Sequence, residues 1–527
     1  MPELSRRRRL LVLTVCCSSL FIVGLDATIV NIALPSIQRD LQAPVSGLQW
    51  TVDAYTLVVA SFLILAGSTG DRVGRRRTFQ VGLATFTVGS LLCSLAPGLG
   101  WLIAFRAVQA IGGSMLNPVA LSIIANTFND DQERARALGI WGAVFGLSLA
   151  LGPVLGGVLV ATVGWRGIFW VNIPVGIAAI VLTALVVPES RAAHPRRVDP
   201  VGQVLIIVML ASLTYAIIEG PRLGWGSPVI LGLFALAVLA AAALGIYEPR
   251  RKEPLLDLRF FRSAPFTGAV LIAISAFAAL AGFLFLNTLY LQDVRQLSAL
   301  HAGLYTLPMA AMTLLLAPLS GRITGQRGPR LPLLVAGVMT TAGALLMWGV
   351  TATTPVAWLL LAYLAFGIGN GMVNPPISNT AVSGMPRAQA GVAAAVASTS
   401  RQVGGSLGVA LTGSVVTSAL HGPLRTGFVP ASHGAWLIIA GCGVLVLLTG
   451  LATSGPWARA TAAHTADLLM SDEARVPVAA VSGVVRGAHD HSEDRATSTR
   501  REAILPGPGR RPRRRRTPPP RTRPAAR

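Results

Sequence analysis

Three ionisable side chains interrupt long apolar runs in this 527-residue chain: Asp26 in "LDATIVNIALP", Asp53 in "WTVDAYTL" and Arg106 in "RAVQAIGG". A charge inside a membrane-crossing helix is expensive and marks a functional site by default. An acid beside a guanidinium can hold and release a proton. Poor hydration makes a carboxyl keep its proton, and a nearby arginine makes it give the proton up. Moving Arg106 toward or away from Asp26 would load and unload the acid. The alternative is a paired charge that only fixes helix packing, and for Asp53 a plain interface residue. The seven histidines are expected in loops or the tail, so no histidine relay is available. The four cysteines (Cys16, Cys17, Cys93, Cys442) lie in apolar runs without CxxC spacing. They read as small buried hydrophobes, and no metal centre is expected.

The elements that carry these charges follow from composition. The chain is 53% hydrophobic and only 13% charged, with a mean hydropathy of +0.62. Its apolar residues come in runs of roughly 20, the length a helix needs to cross a bilayer. Only helices satisfy every backbone polar group within such a run. The chain is therefore expected to be an all-α polytopic membrane protein with fourteen spans: 10–34, 48–69, 78–97, 101–126, 136–161, 168–187, 201–219, 228–247, 265–291, 302–320, 331–351, 356–376, 390–416 and 435–453. The basic start, Arg6 to Arg9, resembles a signal peptide, but no small-residue cleavage site follows, and the run is kept as the first span.

The net charge of +22 comes from 44 basic residues, all arginine except Lys252. In a soluble protein it would suggest nucleic acid; here its placement decides otherwise. With the N-terminus inside, 22 basic residues ahead of the tail fall on the inner side and only Arg39, Arg166, Arg222, Arg295 and Arg425 on the outer. This asymmetry supports the span count and cytoplasmic termini; the dominance of arginine over lysine points to a high-GC bacterial genome, and so to a bacterial cytoplasmic membrane. Eight tryptophans fall near outer ends (Trp50, Trp101, Trp165, Trp170, Trp225, Trp348, Trp358, Trp436) and two near inner ends (Trp141, Trp457), as an aromatic belt would. Glu219 reads as a solvated helix end. At about 1.5 Å per residue, Asp26 lies ~24 Å from the inner edge, Asp53 ~7 Å and Arg106 ~8 Å below the outer edge. The three share a layer and are expected to face one cavity. Arg401 lies ~17 Å from the inner edge, near the midplane. No acid lies within a span of its half, so its partner is a helix carbonyl, an N-half carboxylate, water or substrate.

The stretch "GSTGDRVGRRR" (67–77) is a turn between the second and third spans. Its glycine spacing recurs at Gly321, Gly325 and Gly328, without the acid. "SMLNP" (114–118) is echoed by "GMVNP" (371–375). Two echoes at nearly one offset indicate two related halves, as in many transporters. The expected organisation is a cytoplasmic N-terminus (1–9), a six-helix half (10–187), a two-helix insert (188–264), a second six-helix half (265–453) and a disordered basic tail (454–527).

Taken together, the loop motif, "LDATIVNIALP" (25–35), "RAVQAIGG" (106–113) and "LGPVLGG" (151–157) resemble the major facilitator superfamily. With fourteen spans they are similar to its drug:proton antiporter branch, including antibiotic-resistance exporters of the methylenomycin type. The resemblance implies proton handling by Arg106 and a gating latch of Gly67, Asp71, Arg72, Gly74 and Arg75. Asp71 would dock on the neighbouring bundle near Gly391, where a helix dipole favours an anion. It also links the helix carrying Gly152, Pro153, Gly156 and Gly157 to antiport, and suggests a monomer. Asn31, Gln109 and Arg401 are the candidate substrate-cavity residues.

No phosphate-binding G-x4-G-K-[ST] loop exists, since Lys252 lies in "RRKEP". The expected reading is therefore not an enzyme, needs no cofactor and draws on a proton gradient. Its partners would be a small lipophilic substrate, protons and membrane lipid, with anionic lipid at the basic tail and no nucleic acid. An exporter of one endogenous metabolite and a non-transporting membrane sensor are the alternatives. Asp26 and Asp53 suit cations and Arg401 suits anions, so substrate charge stays open.

Overall fold

The computed structural model describes residues 5–128, 130–192, 199–251, 254, 257–386 and 389–475. Among them every regular element is helical. The first half comprises α1 (Arg6–Leu41), α2 (Val45–Val73), α3 (Arg75–Ser94), α4 (Leu99–Thr127), α5 (Asp131–Val163), and a column broken at Val171 into α6 (Gly167–Trp170) and α7 (Asn172–Val186). Then come α8 (Pro200–Leu223) and α9 (Pro228–Tyr247). The second half comprises α10 (Ala264–Leu289), α11 (Ala299–Tyr305), α12 (Leu307–Arg327), α13 (Arg330–Trp348), α14 (Val356–Val382), α15 (Ala390–Ala419) and α16 (Leu424–Thr453), followed by α17 (Pro456–Arg475). Each expected span coincides with one helical column. By length and apolarity, 11 of the described helices can cross a membrane, or 12 if the bent α5 is one span. The columns that fall short are α3, which opens on three arginines, and α15, which is rich in Ser, Thr and Gly.

The internal repeat is visible as packing. A methyl built on Gly67 of α2 would stand 3.5 Å from Pro118 of α4, and one on Gly321 of α12 would stand 3.9 Å from Pro375 of α14. The two sequence echoes thus touch each other in the same way in each half. The turn glycines Gly74 and Gly328 both adopt positive φ, +128° and +86°, where a side chain is strained.

Among the described residues, side-chain hydrogen bonds between the halves lie at one end. Gln49 Nε2 of α2 donates to the carbonyls of Val409 (3.3 Å) and Ala410 (2.9 Å) on α15. Gln292 Nε2, in a π-helical turn after α10, donates to the Ile32 carbonyl of α1 at 2.8 Å. At the opposite end, which carries Arg72 to Arg77, methyls on Gly139, Gly142, Gly325 and Gly391 would meet nothing within 4 Å. None of these four glycines is therefore packed against the other half. Of the inserted helices, α8 touches both halves: Gln203 donates to the Ser61 carbonyl of α2, and Ser414 of α15 donates to the Ile217 carbonyl of α8.

Four sequence expectations need correction. Residues 456–475 of the supposedly disordered tail form α17; Ala458, Ala462, Thr465 and Leu469 recur at helical spacing and are buried. The remainder of the tail, including "RRPRRRR", lies outside the described residues. Trp436 and Trp165 are buried rather than in a belt; Trp436 packs edge-on against Phe283. Glu219 is only 7% exposed, because Trp50 Nε1 donates to it at 3.0 Å and Arg222 pairs with it at 2.8 Å. His301, His433 and His464 sit in helices; α16 begins before residue 435, which places His433 against the Trp348 ring.

Candidate functional site

Asp26 of α1 and Arg106 of α4 meet inside the first half. Arg106 Nη1 donates to Asp26 Oδ2 at 2.6 Å, with the side chains 2% and 0% exposed respectively. Two amides fill the other carboxylate oxygen: Gln109 Nε2 at 2.9 Å and Asn172 Nδ2 at 3.2 Å. Gln109 Oε1 in turn accepts from Arg106 Nη1 at 2.7 Å. Ser90 Oγ of α3 accepts from Gln109 at 2.7 Å and Asn172 at 3.2 Å. Arg106 Nε donates to the Thr51 carbonyl of α2 at 3.2 Å, and the guanidinium lies 4.4 Å from the Tyr55 ring centroid. Removing a charge from water costs several kcal/mol, on the order of its attraction to a well-placed partner. Here the partner and the surrounding polar atoms offset that cost.

This arrangement differs from the expected cavity-facing layer. The pair is sealed within one half. Gln109 is a ligand of Asp26 and not a cavity residue. Asn31 is buried, and its Nδ2 donates to the Ala27 carbonyl at 3.3 Å. Asp53 makes no ion pair with Arg106. It lies fully buried at the seam between halves, accepts from Thr56 Oγ1 at 3.3 Å, and faces Ser406 of α15. Its Oδ2 makes no hydrogen bond of normal geometry. Sequence reasoning missed Ser90 and Asn172; the available signal was an uncharged polar residue within an apolar span.

The segment "LGPVLGG" lies on α5 just past a 41° bend between Leu149 and Leu151. Pro153 removes the amide that would bond to the Leu149 carbonyl, which accounts for the bend. The helix is smooth on two sides. Gly152 packs against Thr28, and Gly156 against Ile29, where a methyl would stand 2.8 Å from Ile29 Cγ1. On the other side Gly157 faces the Ala299 carbonyl of α11, with 2.7 Å left for a methyl, and Gly303 abuts the Pro153 carbonyl. A cavity beside it is lined by Thr28, Leu149 and Pro153 from one half and Leu280, Leu284, Met309, Thr313 and Asn370 from the other.

At the arginine end, Asp71 Oδ1 accepts from its neighbour Arg75 at 3.0 Å (Nε) and 2.7 Å (Nη2). It makes no bond to Gly391, where a methyl would meet nothing within 4 Å. Arg72 is exposed. The segment after α7 straps this turn. Arg75 N donates to the Ser190 carbonyl at 2.9 Å, Ala192 N to the Asp71 carbonyl at 3.1 Å, and Arg76 N to Glu189 Oε1 at 3.1 Å. A methyl on Gly74 would stand 2.6 Å from Glu189 Oε1. In the second half, Arg401 donates from Nη2 to Ser378 Oγ at 2.6 Å.

The family model "Major Facilitator Superfamily" matches residues 16–409. The chain is 37% identical over 419 residues to the multidrug resistance protein Stp of Mycobacterium tuberculosis, covering 80% of this chain and 78% of that one. It is 39% identical over 401 residues to the tetracenomycin C resistance and export protein of Streptomyces glaucescens, covering 75% and 74%. It is 35% identical over 443 residues to the methylenomycin A resistance protein of Streptomyces coelicolor, covering 83% and 90%. The fold is shared with a bacterial homolog of the human lysosomal transporter Spinster, solved in an inward-facing and occupied conformation. The TM-score is 0.60 at 17% identity, over 88% of this chain and 98% of that one.

Proposed function

The chain belongs to the major facilitator superfamily of multi-pass membrane transporters, and from that premise we propose that it exports lipophilic drugs or antibiotics in exchange for protons. In this reading it is a monomer in the bacterial cytoplasmic membrane with both termini inside. One observation carries the proposal: the sealed Asp26–Arg106 pair lies two residues from the Thr28–Gly152 contact between α1 and α5.

A proton on Asp26 would cancel its charge and leave Arg106 a buried, uncompensated cation. Relief requires α1 and α4 to shift or water to enter. A shift of α1 passes to α5 through Gly152 and Gly156. From α5 it passes to the other half through Pro153, Gly157 and Gly303. Proton binding and the seam between the halves are thus coupled by direct packing. In the outward-open state, Asp71 would leave Arg75 and dock near Gly391, closing the arginine end. The driving force is about 2.3 kcal/mol per charge per 100 mV, enough for tens-of-fold accumulation. The names of the relatives support drug or antibiotic efflux. A dedicated exporter of a single antibiotic is the narrower form, favoured by the relative named for tetracenomycin C export.

The test uses inverted vesicles with an acid lumen. Addition of a transported compound should release luminal protons in the wild type and not in Asp26→Asn. Proton release that persists in the folded variant would refute coupling at Asp26. No release with any antibiotic or lipophilic dye would count against the exporter reading.

A further inference from the structure

Arg401 is a cation without a counter-charge. Between Ser263 and His464 the only acid is Asp293, which lies in the π-helical turn that bonds to α1 through Gln292. Among the described residues Arg401 makes no ion pair, and its side chain bonds only to Ser378 Oγ. Its Nε is buried with no acceptor. A guanidinium held within a membrane-spanning helix, with one nitrogen shut off from any acceptor and no anion beside it, is unfavourable unless something supplies one. Space is available. Gly405, one turn further along α15, is buried, yet a methyl there would meet nothing within 4 Å.

The surroundings describe the rest of a ligand. The Phe277 ring of α10 lies 5.9 Å from the guanidinium carbon. Leu280 and Leu284 follow Phe277 at helical spacing and line the cavity between the halves. On α14, Asn370 lies two turns before Ser378, donates to Thr313 Oγ1 at 3.3 Å and lines the same cavity.

We propose that Arg401, with Ser378, is an anion-binding subsite adjoining the cavity between the halves. Its ligand is an amphiphile with one carboxylate on an aromatic body, the body lying along Phe277, Leu280 and Leu284. A planar guanidinium suits a carboxylate because two parallel hydrogen bonds can form. This assignment rests on the exporter reading and adds the substrate class to it.

The experiment measures binding of pyrenebutyrate and of its neutral methyl ester to the purified full-length chain. The wild type should bind the carboxylate about tenfold more tightly than the ester. Arg401→Gln should abolish that preference with ester binding unchanged, and Arg401→Lys should restore part of it. Equal affinity of the wild type for both probes would overturn the subsite. So would parallel loss of both probes in Arg401→Gln, or a preference that survives that variant. Thermal melting of each variant verifies the fold. Compound-triggered proton release by wild-type vesicles tests the exporter reading separately, so either can fail alone.

Discussion

Gly156 of α5 is seated directly on Ile29 of α1: a methyl there would stand 2.8 Å from Ile29 Cγ1 and 3.2 Å from its carbonyl oxygen. The contact leaves no room for a side chain, and it lies one turn from Asp26. Gly156→Val should therefore wedge α5 from α1 while leaving the Asp26–Arg106 pair intact. The expected stability loss is about 1–3 kcal/mol from overpacking. Transport should fall far more than that loss explains, measured as dye efflux per folded molecule. Normal efflux from Gly156→Val would break the proposed path between proton site and seam.

The buried pair makes a second prediction, about stability alone. Asp26→Asn leaves Arg106 as an unpaired cation in a fully buried site. The expected cost is about 3–5 kcal/mol. Asp26→Asn with Arg106→Gln removes both charges and should recover most of it, while transport stays lost. Thermal midpoints of the single and double variants decide this. A double variant no more stable than Asp26→Asn would mean that the pair is not energetically coupled.

For the turn at the arginine end, stability and transport should separate. The Asp71 side chain is 36% exposed in its pair with Arg75, so that pair contributes at most about 1 kcal/mol. Asp71→Asn should melt close to the wild type yet transport at least about tenfold more slowly, a barrier change near 1.4 kcal/mol. Unchanged efflux would leave the arginines of this turn with topology as their only role.

Glu189 provides a fourth test. It bonds the Arg76 amide and fills the space beside Gly74. Gly74→Ala would meet both a positive φ and this carboxylate, and should cost about 1–3 kcal/mol. Adding Glu189→Ala should remove the steric part and leave only the backbone part. Melting curves for the two variants measure the difference. Identical midpoints would show that the strap does not crowd the turn.

Much of this protein is written in its sequence. Apolar runs of helix length, separated by arginine clusters, determine a polytopic helical bundle, because unpaired backbone polar groups are excluded from hydrocarbon. The echo of "GSTGDRVG" at Gly321 to Gly328 already implies two halves. Asp26 and Arg106 are conspicuous because charge inside such runs is rare, and the rise per residue places them at one depth. What depth does not contain is rotation about each helix axis. Only the packed bundle turns Arg106 onto Asp26, 80 residues away, and Asp53 toward α15. It also makes Gln109 a carboxylate ligand in place of a cavity residue and sinks Trp436 into the core. The tertiary structure alone decides where the halves are joined. Gln49 and Gln292 bond across the halves, while Asp71 stays with Arg75 in its own turn. These contacts depend on how the helices rotate and pack against one another, which a linear order of residues does not specify.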